Sequence, residues 1–140
     1  MSLLAETSAL LRDGDSAAVL YRLLVPWAGL NAANWPEGVR GSVARYLGIL
    51  ATTTESWDAA EVHLEAALAM NARMGARPWL AHTRHDLARL LAARHGPGDG
   101  ERALELIGTA LETYRELGME GWAGRASELL RSLRASAEIA

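Results

Sequence analysis

The sequence contains no cysteine, and this absence removes two classes of site at once. Without a thiol, neither a disulfide framework nor a thiolate metal centre can form, and the chain has no thiol redox chemistry of its own. No apolar run approaches the roughly 20 residues that a membrane-spanning helix needs. At 140 residues, the chain has the length of one globular domain. We therefore expect a single cytoplasmic domain, residues 1–140, without membrane contact.

Lysine is also absent, so the basic side chains are arginines and four histidines. The formal net charge is -3, and charges of both signs are mixed along the chain. Because no basic block is present to attract a phosphate backbone, we expect no direct contact with nucleic acid. The opening residues, MSLLAETSALL, lack the positive segment and cleavage site of a secretory signal, and they are typical of the start of a helix.

A spacing of 43 residues recurs along the chain. Ala17, Ala60 and Ala103 share it. The same shift aligns two further sets: Tyr21, Leu64 and Ile107, and then Leu24, Ala67 and Ala110. Acidic residues near the positive end of the helix dipole also recur, as Asp15, Asp58 and Glu101. The pattern predicts three copies of one amphipathic helix, at about residues 15–29, 56–74 and 99–117.

Turn residues mark where these helices end. Gly75 and Gly118 follow the second and third copies, at the position just past a helix C-terminus that favours glycine. Pro26 predicts that the first copy ends or kinks near Val25. Asp99 is placed to cap the third copy.

Partner helices are predicted between the copies, at residues 41–53, 78–94 and 119–134. The connectors NAANWPEGVR and HGPGDG, residues 31–40 and 95–100, are rich in turn residues. No stretch shows the strict alternation of a half-buried strand. The sequence therefore predicts an all-α array of antiparallel helical hairpins with about seven helices.

The small residues of this pattern resemble those of the tetratricopeptide repeat family. The match is Leu47-Gly48, Ala60, Leu64 and Ala67 in one repeat, and Leu87-Ala88, Ala103, Ile107 and Ala110 in the next. Small residues at these places let two helix backbones approach closely. The chain departs from the family where Ala44 and Ala51 hold the usual Trp and Tyr positions, and in a period longer than the usual 34.

The longer period and segments such as GSVARYLGILA and GDGERALELIGTALETYRELGM are similar to the C-terminal repeats of large bacterial signal-transduction regulators. In those chains an ATPase module precedes the repeats, with a LuxR-type DNA-binding domain or a nucleotide cyclase domain attached. The resemblance covers roughly residues 15–130. It implies a right-handed superhelical array that acts as a non-catalytic interaction or sensory module and binds a protein, a peptide or a small effector.

The family register implies a candidate groove on the first helices of two repeats. Its residues are Ser42, Arg45, Ile49, Thr52, His82, His85 and Arg89. The arginines and histidines make this face mildly basic, which suits an acidic peptide, a carboxylate terminus or an anionic effector. A charged helix face that is simply solvated is the alternative.

The positions of the histidines support two further predictions. His82 and His85 lie three residues apart on one predicted helix and could share a metal, but no third ligand is evident, so we expect no metal site. His63 occupies the position that Leu20 and Leu106 hold in the other copies, which predicts a half-buried packing residue.

The aromatic and loop motifs favour binding over chemistry. Trp57 and Trp79 stand at helix starts, where packing explains them, whereas Trp35 beside Pro36 is predicted to be exposed and could anchor a partner chain. The HGPGDG connector lacks the Lys and Ser/Thr of a phosphate-binding loop, so it predicts a hairpin loop and no cofactor. No arrangement of nucleophile and base indicates an enzyme.

Oligomerisation through exposed terminal helices is the alternative function. Leu129, Leu130 and Leu133 place apolar residues near the C-terminus, and the N-terminus begins with a half hairpin. Terminal repeats normally need a polar outer face for solubility, so apolar ends favour a homodimer.

Overall fold

Seven α-helices make up most of the part of the chain that this computed structural model describes, residues 1–34, 36 and 38–139. They are α1 (Ser2–Leu11), α2 (Gly14–Leu24), α3 (Val43–Thr53), α4 (Trp57–Arg73), α5 (Arg77–Arg94), α6 (Asp99–Glu116) and α7 (Glu120–Ile139). This confirms the all-α prediction and the number of helices. Within the described residues, none of these helices combines the length and apolar character needed to cross a membrane.

The helices fall into two compact units, Met1–Trp79 and the part from Leu80 onward. The first unit holds α1 to α4 and the start of α5. The second holds the rest of α5 with α6 and α7.

In the first unit, α3 packs against α1 and α2 on one side and against α4 on the other. Leu47 and Leu50 of α3 are fully buried in a core that includes Ala5 and Ala17. Gly48 shows how closely α3 and α4 approach, because a Cβ there would lie 2.4 Å from Cγ of Leu64. The small residue at this position therefore permits the contact between the two helices.

In the second unit, α6 packs against α7. The buried face of α6 consists of small and apolar side chains at helical spacing: Ala103, Ile107, Ala110, Leu111 and Tyr114. Ala123 and Ala126 of α7 are also buried. Burial of α6 therefore follows the 3.6-residue period seen in the sequence.

The 43-residue spacing also governs burial and backbone conformation. Ala17, Ala60 and Ala103 all have 0% exposure. Three turn residues with the same spacing adopt left-handed backbone, with φ of 53° at Arg12, 56° at Glu55 and 79° at Gly98. These residues differ in type, so comparison of side chains does not align them. The turns at Arg12 and Glu55 are equivalent, because the next N–H bonds to a carbonyl five residues back, Asp13 to Ser8 and Ser56 to Ala51. Gly98 differs, since it is the N-cap of α6 and the N–H after it bonds to Gly96.

The predicted glycine ends of α4 and α6 are confirmed. Gly75 and Gly118 have φ of 63° and 67°, which a residue without Cβ adopts at little cost. After Gly75, the N–H of Ala76 donates to the carbonyl of Asn71 at 3.0 Å, and the bond after Gly118 is equivalent. Both turns are Schellman motifs, which satisfy carbonyls left free at a helix end.

The first connector differs from the prediction, because it contains two short antiparallel strands, β1 (Asn31–Asn34) and β2 (Gly38–Ser42). Their backbones pair without an alternating apolar pattern, so the sequence carried no strand signal. Helix α2 ends at Leu24 and continues as a 3-10 helix, Val25–Trp27, as Pro26 predicts. The predicted range 15–29 therefore runs past the α-helix.

The predicted capping role of Asp99 is wrong. Asp99 is the first residue of α6, and its N-cap is Gly98. The carboxylate instead accepts hydrogen bonds from Nε and Nη2 of Arg94, at 2.8 and 2.7 Å, and from the N–H of Gly96 at 2.8 Å. A bidentate guanidinium offers a stronger partner than a backbone N–H. These bonds, with that to Arg94 the largest, lower the pKa of Asp99.

Candidate functional site

The predicted groove residues of α3 lie on a helix that is buried on most sides. Ser42 is its N-cap, and the serine Oγ accepts the N–H of Ala44 at 3.2 Å. Ile49 is 9% exposed, and the half-buried Thr52 donates its hydroxyl to the carbonyl of Gly48 at 2.8 Å. These side chains complete the helix and its packing.

Arg45 lies at the centre of a charged and aromatic cluster in the first unit. This Arg45 cluster consists of Glu6, Arg40, Arg45, Tyr46 and Trp79. The Arg45 side chain is 3% exposed and its Nη1 lies 3.1 Å from Oε1 of Glu6. Nη2 of Arg40 lies 3.2 Å from the other oxygen of the same carboxylate. Two arginines thus converge on one carboxylate from α1.

Aromatic rings frame these guanidinium groups. The Arg45 guanidinium carbon lies 5.2 Å from the Tyr46 ring centre and 5.9 Å from that of Trp79, which are cation–π distances. The Tyr46 hydroxyl donates to the carbonyl of Arg40 at 2.8 Å, and burial raises its pKa despite the positive charge of Arg45. Gly41 makes room for Trp79, since a Cβ there would lie 2.9 Å from the indole.

The predicted groove histidines of α5 belong to a second cluster, in the second unit. This His82 cluster consists of His82, His85, Tyr114 of α6 and Trp122 of α7. Each histidine is 6% exposed. Nδ1 of His82 lies 2.9 Å from the Tyr114 hydroxyl, and its ring centre lies 4.3 Å from that of Trp122 in an edge-on arrangement. The ring of His85 lies 6.0 Å from that of Trp122.

Exposed arginines flank the His82 cluster. His82, His85 and Arg89 are spaced by three and four residues, so they form one stripe along α5. Arg89 is exposed at the end of this stripe. Arg125 is exposed on α7, and its guanidinium carbon lies 4.8 Å from the Trp122 ring centre. The His82 cluster thus combines buried histidine and tyrosine rings with the exposed arginines Arg89 and Arg125 at its edge.

His63 lies outside both clusters, on α4. It is half-buried, and its Nε2 lies 2.8 Å from the hydroxyl of Tyr21 on α2, with the two rings edge to face. Burial lowers the pKa of His63 from its ordinary value of 6.5. The predicted packing role is confirmed.

The structure divides the seven predicted groove residues between the two units, four on or beside α3 and three on α5. Sequence reasoning missed Glu6 as a partner of Arg45, and it missed Tyr114 and Trp122. A signal for Trp122 was present, because Trp79 and Trp122 share the 43-residue spacing. The same spacing relates Asn71 to Tyr114, which are buried near the C-terminal ends of α4 and α6.

In the described part of the chain, no three His, Asp or Glu side chains lie close enough together to hold a metal ion. Trp57 is half-buried at the first position of α4, and Trp79 packs over Gly41 and beside Arg45. Trp35, the proposed partner anchor, lies outside the described residues.

Comparisons with protein-family models, with curated proteins and with solved structures found no match. The likeness to tetratricopeptide repeats therefore remains a proposal.

Proposed function

We propose that this chain is a non-catalytic interaction or sensory module of a cytoplasmic bacterial transcriptional or signalling regulator. In this proposal, its hairpins form a short right-handed tetratricopeptide-like array, and the face of α5 binds an acidic segment of a protein, a peptide or a small anionic effector. The regulator context comes from the resemblance of the repeats. The location of the binding face comes from the side chains of the second unit.

The observation that carries the proposal is the His82 cluster with arginines at its edge. The packing positions of α6 repeat those of α2 and α4, and they are explained by the helix contacts. The α5 stripe of His82, His85 and Arg89 is not explained by the repeat, since the family register places Ser42, Arg45 and Ile49 at these positions in the preceding copy. Polar side chains that change between repeats are where a repeat protein acquires a specific ligand.

The chemistry of the ligand follows from the charges. Arg89 and Arg125 are exposed and cationic, and arginine binds carboxylates through paired hydrogen bonds. The Arg45 cluster supports the same preference within this chain, because Arg40 and Arg45 together hold the carboxylate of Glu6. Since Arg45 is engaged in this way, Arg89 is the better position at which to test binding.

The test uses a fluorescein-labelled hexaglutamate peptide and fluorescence anisotropy at low ionic strength. Arg89→Glu is expected to weaken binding by about tenfold or more, which corresponds to about 1.4 kcal/mol. Arg115→Glu is the matched control, because it reverses the charge of an exposed arginine on α6 in the same unit. Both variants should keep the helical circular dichroism of the parent protein.

Three results would contradict the proposal: no measurable binding of the peptide, an equal loss in both variants, or an unchanged affinity after Arg89→Glu. An equal loss would mean that the peptide responds to net charge, not to the α5 face.

Exposed leucines favour the alternative function, an oligomerisation scaffold. Leu3 and Leu4 of α1 are 53% and 57% exposed, and Leu10 and Leu11 are 83% and 70% exposed. Four large apolar side chains on one ten-residue helix are unusual for a surface that faces only water. Leu130 of α7 is half-buried, which leaves it a weaker candidate for the same role.

A further inference from the structure

The exposed side of α1 carries a continuous apolar stripe. At 100° per residue, Leu3, Leu4, Thr7, Leu10 and Leu11 occupy one side of the helix, opposite the buried Ala5, while the buried Ser8 lies beside Leu4 at the edge of this side. We refer to these five residues as the α1 stripe. The helix therefore presents apolar side chains to both the core and the outside.

Polar groups on α1 are already satisfied within the unit. The single ionisable side chain of the helix, Glu6, is held by Arg40 and Arg45. The Thr7 hydroxyl donates to the carbonyl of Leu3 at 2.8 Å. If the α1 stripe were covered, neither a charge nor this hydroxyl would lose its hydrogen-bond partner. Burial of the stripe would therefore avoid the free-energy cost of an unpaired polar group.

The α1 stripe has a spacing that suits pairing with itself. It reads the same in both directions about Thr7, with leucines three and four residues away on each side. In a two-fold symmetric contact, residue i meets residue j and residue j meets residue i. Two antiparallel α1 helices satisfy this rule if Thr7 lies on the axis, Leu3 meets Leu11 of the second copy, and Leu4 meets Leu10 of the second copy.

We propose that the α1 stripe is the interface of a two-fold homodimer, in which two copies of α1 pack antiparallel about Thr7. The inference deepens the oligomerisation alternative and rests on it. One short helix from each copy falls below the roughly 800 Å² per partner of a standard interface, so the dimer is expected to be a weak one. A membrane surface fits less well, because α1 has no basic residue to meet anionic lipid.

Sedimentation velocity over a range of protein concentrations tests the association. The parent protein should shift from monomer to dimer, and Leu11→Asp should raise the dissociation constant by about tenfold or more. Val62→Asp is the matched control, because Val62 is 67% exposed on α4 in the same unit and lies outside the α1 stripe. It should leave the dissociation constant unchanged.

The geometry has a separate test, made possible by the absence of cysteine. Thr7→Cys should form a disulfide-linked dimer on mild oxidation, since residues on the two-fold axis come within bonding range. Val62→Cys, equally treated, should remain mostly monomeric. Cross-linking in Thr7→Cys with native circular dichroism would support the antiparallel pairing.

Failure of the α1 pairing can be distinguished from failure of the oligomerisation alternative. A parent protein that stays monomeric throughout overturns both the inference and the oligomerisation alternative. A dimer that is weakened by Leu130→Asp but not by Leu11→Asp overturns the inference and leaves the alternative standing, with its interface on α7. Equal cross-linking of the two cysteine variants, or binding of neutral phosphatidylcholine vesicles without dimer formation, overturns the α1 pairing.

Discussion

His63 is a polar side chain in a position that a leucine fills in the other two copies of the repeat. Its partner is the hydroxyl of Tyr21, 2.8 Å away on the neighbouring helix. The hydrogen bond links α4 to α2, and in the neutral imidazole Nε2 accepts from the hydroxyl or donates to it according to the tautomer. Burial opposes the charged form, so the pKa of His63 is lower in the folded chain than its ordinary value of 6.5.

This shift makes the stability of the first unit depend on pH at a single residue. Between the lowered pKa and 6.5, the unfolded chain binds more protons than the folded one, so the free energy of unfolding falls as the pH decreases through this interval. Urea denaturation should therefore show the parent protein losing stability relative to His63→Leu as the pH falls from 7.5 to 5. Above pH 7.5 the difference between them should be constant.

Parallel stability curves for the parent and His63→Leu across this pH range would show that His63 does not titrate differently in the folded state. Because His82, His85 and His95 remain in both proteins, the comparison isolates the contribution of His63.

The half-burial of His63 could be predicted because its register position is apolar elsewhere. Its bond to Tyr21 could not be, since the two residues lie 42 positions apart and no local pattern fixes which face of α2 turns toward α4. The same holds for Asp99. The sequence showed that Asp99 is an acidic residue in the first turn of a helix. It did not show that the loop brings Arg94 close enough to bind the Asp99 carboxylate in place of a backbone N–H.

At the scale of helices, the contact between α3 and α4 depends on Gly48. The fully buried Leu64 fills the space that a Cβ at this position would need, and the carbonyl of Ala60 lies 3.4 Å from the same point. A glycine inside a helix costs about 1 kcal/mol relative to alanine. Its presence here is explained by the approach of the two helices.

Gly48→Ala is expected to destabilise the chain by up to about 2 kcal/mol, because overpacking costs about 1 to 3 kcal/mol and the better helix propensity contributes about 1 kcal/mol in the opposite direction. Gly124→Ala is the control, since Gly124 lies within α7 with nothing within 4 Å of an added Cβ. It should stabilise by about 0.5 to 1 kcal/mol. Urea denaturation measures both.

A second pair of variants checks the cause. When Leu64→Ala has removed the obstructing side chain, adding Gly48→Ala should no longer destabilise. A Gly48→Ala penalty of the same size in both backgrounds would mean that the strain does not arise from Leu64.

The elements also show which features of a repeat are visible in sequence. The small residues Ala60 and Ala103 were predictable, because close helix contacts restrict side-chain size. The left-handed turns at Arg12 and Glu55 were not, because arginine and glutamate rarely adopt this conformation and do so here where the hydrogen bonds of the turn stabilise it. The strands β1 and β2 escaped prediction for a related reason, since their pairing is made by backbone groups.

At the scale of the whole molecule, the 43-residue period accounts for packing positions and leaves the polar residues of α3 and α5 without an explanation. The 43-residue period coincides with buried positions such as Ala17, Ala60 and Ala103. The polar residues of α3 and α5 do not follow the period. The sequence could therefore indicate which polar residues fall outside the packing pattern, but not that Arg45 is paired with Glu6, which lies 39 positions away.

Nuclear magnetic resonance of the ¹⁵N-labelled chain, titrated with unlabelled hexaglutamate, tests the central claim most directly. The account predicts that chemical-shift changes concentrate on the amides from His82 to Arg89 and on the indole N–H of Trp122, and that they saturate. Changes confined to other helices, or spread evenly over exposed arginines such as Arg115, would contradict it, as would a spectrum that the peptide leaves unchanged.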